Sequence, residues 1–183
     1  GSDTGGITVA SKSDIILDGP INSRGGTVSI CAGDATCEGG TNNGASIIDG
    51  NQGAVVTAKA ISLSADGSVG GVAVPNAANP DVKTPVAVSL LGAASGANAI
   101  VATAADGVVS LKTASSLLIE KITAGGNPMN GAGIVTLDAA GSIAAAPTAS
   151  FIYNADKAAG AYIQAPRVNL TATTGSIGST SNP

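Results

Sequence analysis

The sequence predicts an all-β solenoid, short strands wound into stacked turns around a narrow aliphatic core. Three observations predict it. An alternating five-residue pattern recurs five times, a glycine–serine corner follows three of the copies, and charged residues make up only 11% of the 183 residues. An ordinary soluble domain carries roughly 25%, so long amphipathic helices would have no charged face to show water. The 44% hydrophobic fraction comes from Ala, Val, Ile and Leu, with one Phe and two Tyr. The core is therefore aliphatic, and the length suits one domain.

The five copies are Val28-Ser-Ile-Cys-Ala32, Ile61-Ser-Leu-Ser-Ala65, Val109-Ser-Leu-Lys-Thr113, Val135-Thr-Leu-Asp-Ala139 and Val168-Asn-Leu-Thr-Ala172. A two-residue period turns the first, third and fifth side chains inward and the second and fourth outward. Weaker copies precede and separate these, at residues 7–9, 15–17, 86–90 and 117–119. Turn signals divide them at Asp18-Gly19-Pro20, Asp49-Gly50, Asp106-Gly107 and Asn130-Gly131. After three copies the chain reads Ala65-Asp-Gly-Ser-Val-Gly, Ala139-Ala-Gly-Ser-Ile-Ala and Ala172-Thr-Thr-Gly-Ser-Ile-Gly, so Gly67, Gly141 and Gly175 are expected to mark one shared corner. Glycine suits such a corner because it accepts positive φ and close backbone approach. Two copies run on to Asn79-Pro80 and Asn182-Pro183.

An antiparallel β-sandwich is the alternative for an array of short strands. A sandwich does not require the same corner to recur, whereas a solenoid does, because each turn buries its inner face only against copies of itself. The copies are unevenly spaced, which calls for loop excursions at residues 41–46, containing Asn42-Asn43-Gly44, and at residues 75–85. Gly1-Ser2 reads as a cloning remnant, and 3–183 as a single segment excised from a longer repetitive protein.

These copies, together with residues 7–30 in their strand, Gly-Gly, strand order and the Leu-x-Ala-x-x-Gly-Ser-Ile-Gly corner, resemble the repeats of filamentous haemagglutinin-like bacterial exoproteins. The resemblance covers most of the chain and implies a right-handed parallel β-helix. It also implies the shaft of a large secreted or surface-attached adhesin, exported through an outer-membrane transporter partner. At the 20 to 22 residues per turn that the family suggests, the chain would make about eight or nine turns in a rod roughly 40 Å long. The chain departs from the family in carrying cysteines and in lacking its amino-terminal secretion domain.

The residues narrow the chemistry. Histidine is absent, which removes Ser/His and Cys/His nucleophilic sites and the commonest transition-metal ligand. With eight Lys and Arg against twelve Asp and Glu, there is no basic stripe for nucleic acid. The carboxylates lie mostly in turns, where they bond their own backbone. Polysaccharide-degrading β-helices set carboxylates, basic residues and aromatic platforms on one face, but Arg24 and Arg167 are far apart in sequence. No catalytic residue and no cofactor are expected. Neither a calcium-binding nonapeptide nor an EF-hand loop occurs, leaving Asp34, Glu38 and Asp49 as a weak calcium candidate. Ice binding wants ranks of Thr-x-Thr, and only Thr171-Ala-Thr173 fits.

Phe151, Tyr153 and Tyr162 gather the aromatic surface. They read as local packing, or alternatively as a contact patch for a host-cell or neighbouring-cell glycan or protein. The chain itself is expected to be monomeric. Cys31 occupies the fourth, outward place of its copy, where the others have Ser64, Lys112, Asp138 and Thr171. Two cysteines without histidine make a poor zinc site, and five intervening residues do not match Cys-x-x-Cys. A disulfide between Cys31 and Cys37 across the Gly33-Asp34 turn is expected, holding the loop before Asn42, and it agrees with a secreted or cell-surface protein.

Overall fold

The structure is a computed structural model that describes residues 5–34, 36–37, 44–50, 53–71, 84–91, 99–126, 132–145 and 162–178. Among the described residues there is no helix. The strands are β1 (Ile7–Ser11), β2 (Ile15–Leu17), β3 (Ile21–Ala32), β4 (Ile47–Asp49), β5 (Val55–Ala65), β6 (Val86–Leu90), β7 (Ile100–Ala104), β8 (Val108–Thr113), β9 (Leu117–Ala124), β10 (Ile134–Ala139), β11 (Ile143–Ala145), β12 (Tyr162–Gln164) and β13 (Arg167–Ala172). Every pairing between these strands is parallel. An antiparallel sandwich is therefore not what forms. Most of the strands belong to one sheet, nearly closed on itself around the core.

Three ladders run through the molecule. The first pairs Val9, Ile30, Leu63, Ala102, Ile122 and Ile163 in succession. The second pairs Ile15, Ile47, Val69, Val109, Val135 and Val168. The third begins with Ile21, Val56 and Val88 and continues through Val86, Leu111, Leu137 and Leu170. A shorter fourth ladder, Leu117, Ile143 and Ile177, enters only in the later passes. The chain visits the ladders in turn, and each visit lays one aliphatic side chain on the equivalent side chain of the previous pass.

The inward half of the expected alternation holds in four copies, where Val28, Ile30, Ala32, Ile61, Leu63, Ala65, Val109, Leu111, Thr113, Val135, Leu137 and Ala139 are all buried. In the fifth copy Val168 is 41% exposed, and among the described residues β13 pairs only with β10. Val, Ile and Leu suit these positions because branched side chains pack well on a pleated surface. Burying each such side chain contributes about 1.5–3 kcal/mol.

Two expectations change. Among the described residues the first ladder holds six strands, where eight or nine turns were expected of the whole chain, and it spans roughly 24 Å, five spacings of about 4.8 Å. Three of the five passes are longer than expected: Ile7 pairs with Val28, Val28 with Ile61, Ile61 with Ile100, Val101 with Lys121 and Lys121 with Tyr162. Three of these steps exceed 30 residues because chain is spent between strands. The five copies also do not form one column. Copies 28–32 and 61–65 stack on the first ladder, whereas copies 109–113, 135–139 and 168–172 stack together across the second and third. A five-residue alternation satisfies any inward-facing ladder equally well.

The sharp return from the third ladder to the first is made inside β3. Its register shifts between Ser23 and Thr27, where Arg24-Gly25-Gly26 turns the strand. Ser23 is fully buried there, and its hydroxyl donates 2.7 Å to the Gly5 carbonyl. A side chain at Gly26 would strike that same carbonyl, so the Gly-Gly of the sequence pattern is needed for close approach.

Candidate functional site

Two features concentrate the chemistry of the surface, the polar corners and the disulfide-closed loop. At the corner between the first and second ladders, the Ser46 N–H donates to Asp14 Oδ1 at 2.8 Å. The Ser68 N–H donates to Ser46 Oγ at 3.0 Å, and the Val108 N–H to Ser68 Oγ at 3.0 Å. The return bonds run through the backbone, from Ile15 N–H to the Ser46 carbonyl, Ile47 N–H to that of Ser68 and Val69 N–H to that of Val108. Each joint is therefore closed twice, and backbone groups that a turn would leave unpaired find partners on the adjacent pass.

The same device recurs at a second corner. Ser142 N–H donates to Ser116 Oγ at 3.0 Å, and Ser176 N–H to Ser142 Oγ at 3.1 Å. Gly141 and Gly175 stack here, whereas Gly67 stacks between Gly44 and Gly107 at the first corner. The expectation of one shared corner for Gly67, Gly141 and Gly175 is thus corrected to two corners with one chemistry. None of the three has positive φ. What requires glycine is space: a side chain at Gly67 would meet the Gly44 carbonyl, and one at Gly175 would meet Ser142.

Cys31 and Cys37 are joined in a disulfide with their Cα atoms 5.4 Å apart. Cys31 occupies an outward register position between Ala10 and Ser64, both exposed. It is nevertheless only 4% exposed, so the outward position does not make it a surface group. It is bonded through Cys37 to the loop that follows β3. That loop starts at Gly33, with φ +95° and a backbone so close to the Asp66 carboxylate that a side chain would collide with it. Gly33 N–H donates 2.8 Å to the Ser11 carbonyl, and Asp34 bridges to Ser11, which turns the loop back over β1. Asp34 Oδ1 then accepts from the Thr36 N–H at 2.8 Å and its hydroxyl at 2.9 Å. Cys37 itself has φ +60°, a conformation uncommon outside glycine. Disulfides persist in oxidising compartments.

Among the described residues the remaining expected positions are not brought together. Asp34 lies in the disulfide loop and Asp49 is buried at the end of β4, while Glu38 lies outside the described residues. Among the described residues no three Cys, Asp or Glu side chains are grouped to hold a metal ion. Phe151 and Tyr153 lie outside the described residues, and Tyr162 is placed only by its backbone, paired with Lys121. Asn42, Asn43, Asn79-Pro80, Asn130-Gly131, Asn182-Pro183 and most of 75–85 also lie outside them. Thr84, at the end of that second excursion, is buried and donates 3.2 Å to the Asp49 carbonyl.

The sequence pattern did not point to an apolar cleft at the carboxy-terminal end of the ladders. It has a volume of about 150 Å³ and is lined chiefly by Ile119, Ile143, Ile163, Leu170 and Ile177. Its lining belongs to the last two described passes at that end of the aliphatic core. The signal that could have located it is positional, since Ile163, Leu170 and Ile177 are apolar residues of the last described pass and Ile119 and Ile143 belong to the pass before it. No family model, no curated protein and no solved structure matches the chain.

Proposed function

We propose that the chain is a right-handed parallel β-helix serving as a shaft or stalk segment of a large secreted or surface-attached bacterial adhesin. Right-handed winding is the hand that parallel crossover connections adopt almost without exception. The observation that carries the reading is the set of in-register parallel ladders, in which like side chains stack along the whole described length. Such an arrangement spreads load over many backbone hydrogen bonds and an aliphatic column, so that no single residue holds the rod together. The disulfide supports an oxidising destination, and export through an outer-membrane transporter partner belongs to the same reading. The role is mechanical and not catalytic, holding a distal binding region away from the cell.

Deleting the segment from its parent protein tests the proposal. The filament seen by electron microscopy should shorten by about the rod length, roughly 24 Å for the described ladders, while attachment to cells persists. Loss of attachment with an undiminished filament would sink the shaft reading and favour a binding module for a host glycan or protein.

A further inference from the structure

The disulfide joins two cysteines in unequal surroundings. Cys31 is 4% exposed and sits within the register of β3, between Ala10 of β1 and Ser64 of β5. Cys37 lies in the loop beyond β3 and is half-buried. Thiol exchange depends on access to the sulfur attacked, so a reductant meets the Cys37 side of the bond first. Cys37 also holds φ +60°, a left-handed conformation that residues other than glycine adopt rarely and at a cost. The covalent tie to Cys31 opposes its relaxation.

The ladders have their own support. The inward residues of the same strand, Val28, Ile30 and Ala32, are buried in the aliphatic core, and β3 pairs with both β1 and β5. A reduced Cys31 is a small apolar side chain that suits a buried place without a partner. The loop is held more lightly. Its base is fixed, since Gly33 is buried, donates to the Ser11 carbonyl and lies against the Asp66 carboxylate. Asp34 then bridges to Ser11. Beyond it Thr36 turns its N–H and hydroxyl back on Asp34 Oδ1, and the disulfide is what returns the chain to β3.

We infer that the Cys31–Cys37 bond is a redox-sensitive latch, which closes the loop at residues 34–37 onto β3 in oxidising surroundings and releases it to a dithiol reductant with the ladders intact. In the opening step a thiolate of the dithiol attacks Cys37 Sγ. A new sulfur–sulfur bond forms there, the Cys31–Cys37 bond breaks, and its electron pair leaves on Cys31 Sγ, which takes up a proton. The second thiolate of the reductant then attacks the reductant's own sulfur in the mixed disulfide, and Cys37 Sγ leaves and is protonated. The dithiol ends as a cyclic disulfide and the protein as two thiols. The latch rests on the disulfide and its surroundings and stands apart from the shaft reading.

Treating the folded 183-residue chain with dithiothreitol, followed by brief alkylation with iodoacetamide and by amide exchange, tests it. Two thiols should appear while the far-ultraviolet circular dichroism stays unchanged, and Cys37 should be alkylated about tenfold faster than Cys31. The amides of Thr36 and Cys37 should lose their protection on reduction, with Gly33 and the strands β5 and β8 exchanging as before. Cys37→Ser changes a half-buried loop position, and its loop should exchange like that of the reduced chain with or without dithiothreitol. A bond that yields only when the chain unfolds, equal alkylation of the two cysteines, or exchange that quickens in β5 and β8 as much as in the loop would each overturn the inference.

Discussion

At Ser46 one hydroxyl decides whether a turn is closed. It is buried, and it accepts the Ser68 N–H of the next pass. Ser46→Ala leaves that donor partly buried without its acceptor and should cost about 1–3 kcal/mol in urea unfolding. Ser142 makes the corresponding bond at an exposed corner, where water can replace it, so Ser142→Ala should cost no more than about 0.5–1.5 kcal/mol. Equal losses at the two sites would mean that burial does not set the strength of these joints. Cys31 and Cys37 act through the unfolded chain. On the chain-entropy estimate, reduction should lower stability by about 2 to 2.5 kcal/mol. For a chain of this size that is a fall in melting temperature of about 4–10 °C, read by circular dichroism with and without reductant.

Within a strand, inward and outward positions carry different energies. Leu111 is fully buried between Val86 and Leu137, while its neighbour Lys112 sits on the outer face opposite Asp138. Leu111→Ala should destabilise by about 2–5 kcal/mol, and Lys112→Ala by less than about 0.5 kcal/mol, both from denaturant midpoints. Similar effects would contradict the two-faced strand. Strands with a bulky alternation, such as β8, β10 and the second half of β5, are legible in the sequence. β4 is harder to read because all three of its residues are buried and no polar alternation marks it. β7, Ile-Val-Ala-Thr-Ala, does alternate in burial, but alanines at two of its inward positions give a weak apolar signal. β11 and β12 are three residues each, too short for a period to show.

For the whole molecule, stability is a sum over neighbouring passes, and the ends are its weakest interfaces. Val168 and Ile177 are among the most exposed large hydrophobic residues of the described structure, and both lie at the last pass. Amide exchange should accordingly be fastest in β12 and β13 and slowest in β5, β7 and β8, which have neighbours on both sides. Uniform protection along the ladders in dilute monomer would contradict this.

The sequence by itself determined the strand class, the inward residues of each copy and the pairing of two nearby cysteines. These follow from local rules, a two-residue period and a short covalent loop. Only the tertiary structure decided which ladder each copy joins, that one corner motif serves two corners, and that six strands stack in the first ladder of the described residues. A five-residue alternation fits every inward face equally, so its place depends on how much chain is spent between strands. The burial of Cys31 at an outward position was likewise seen only in the tertiary structure.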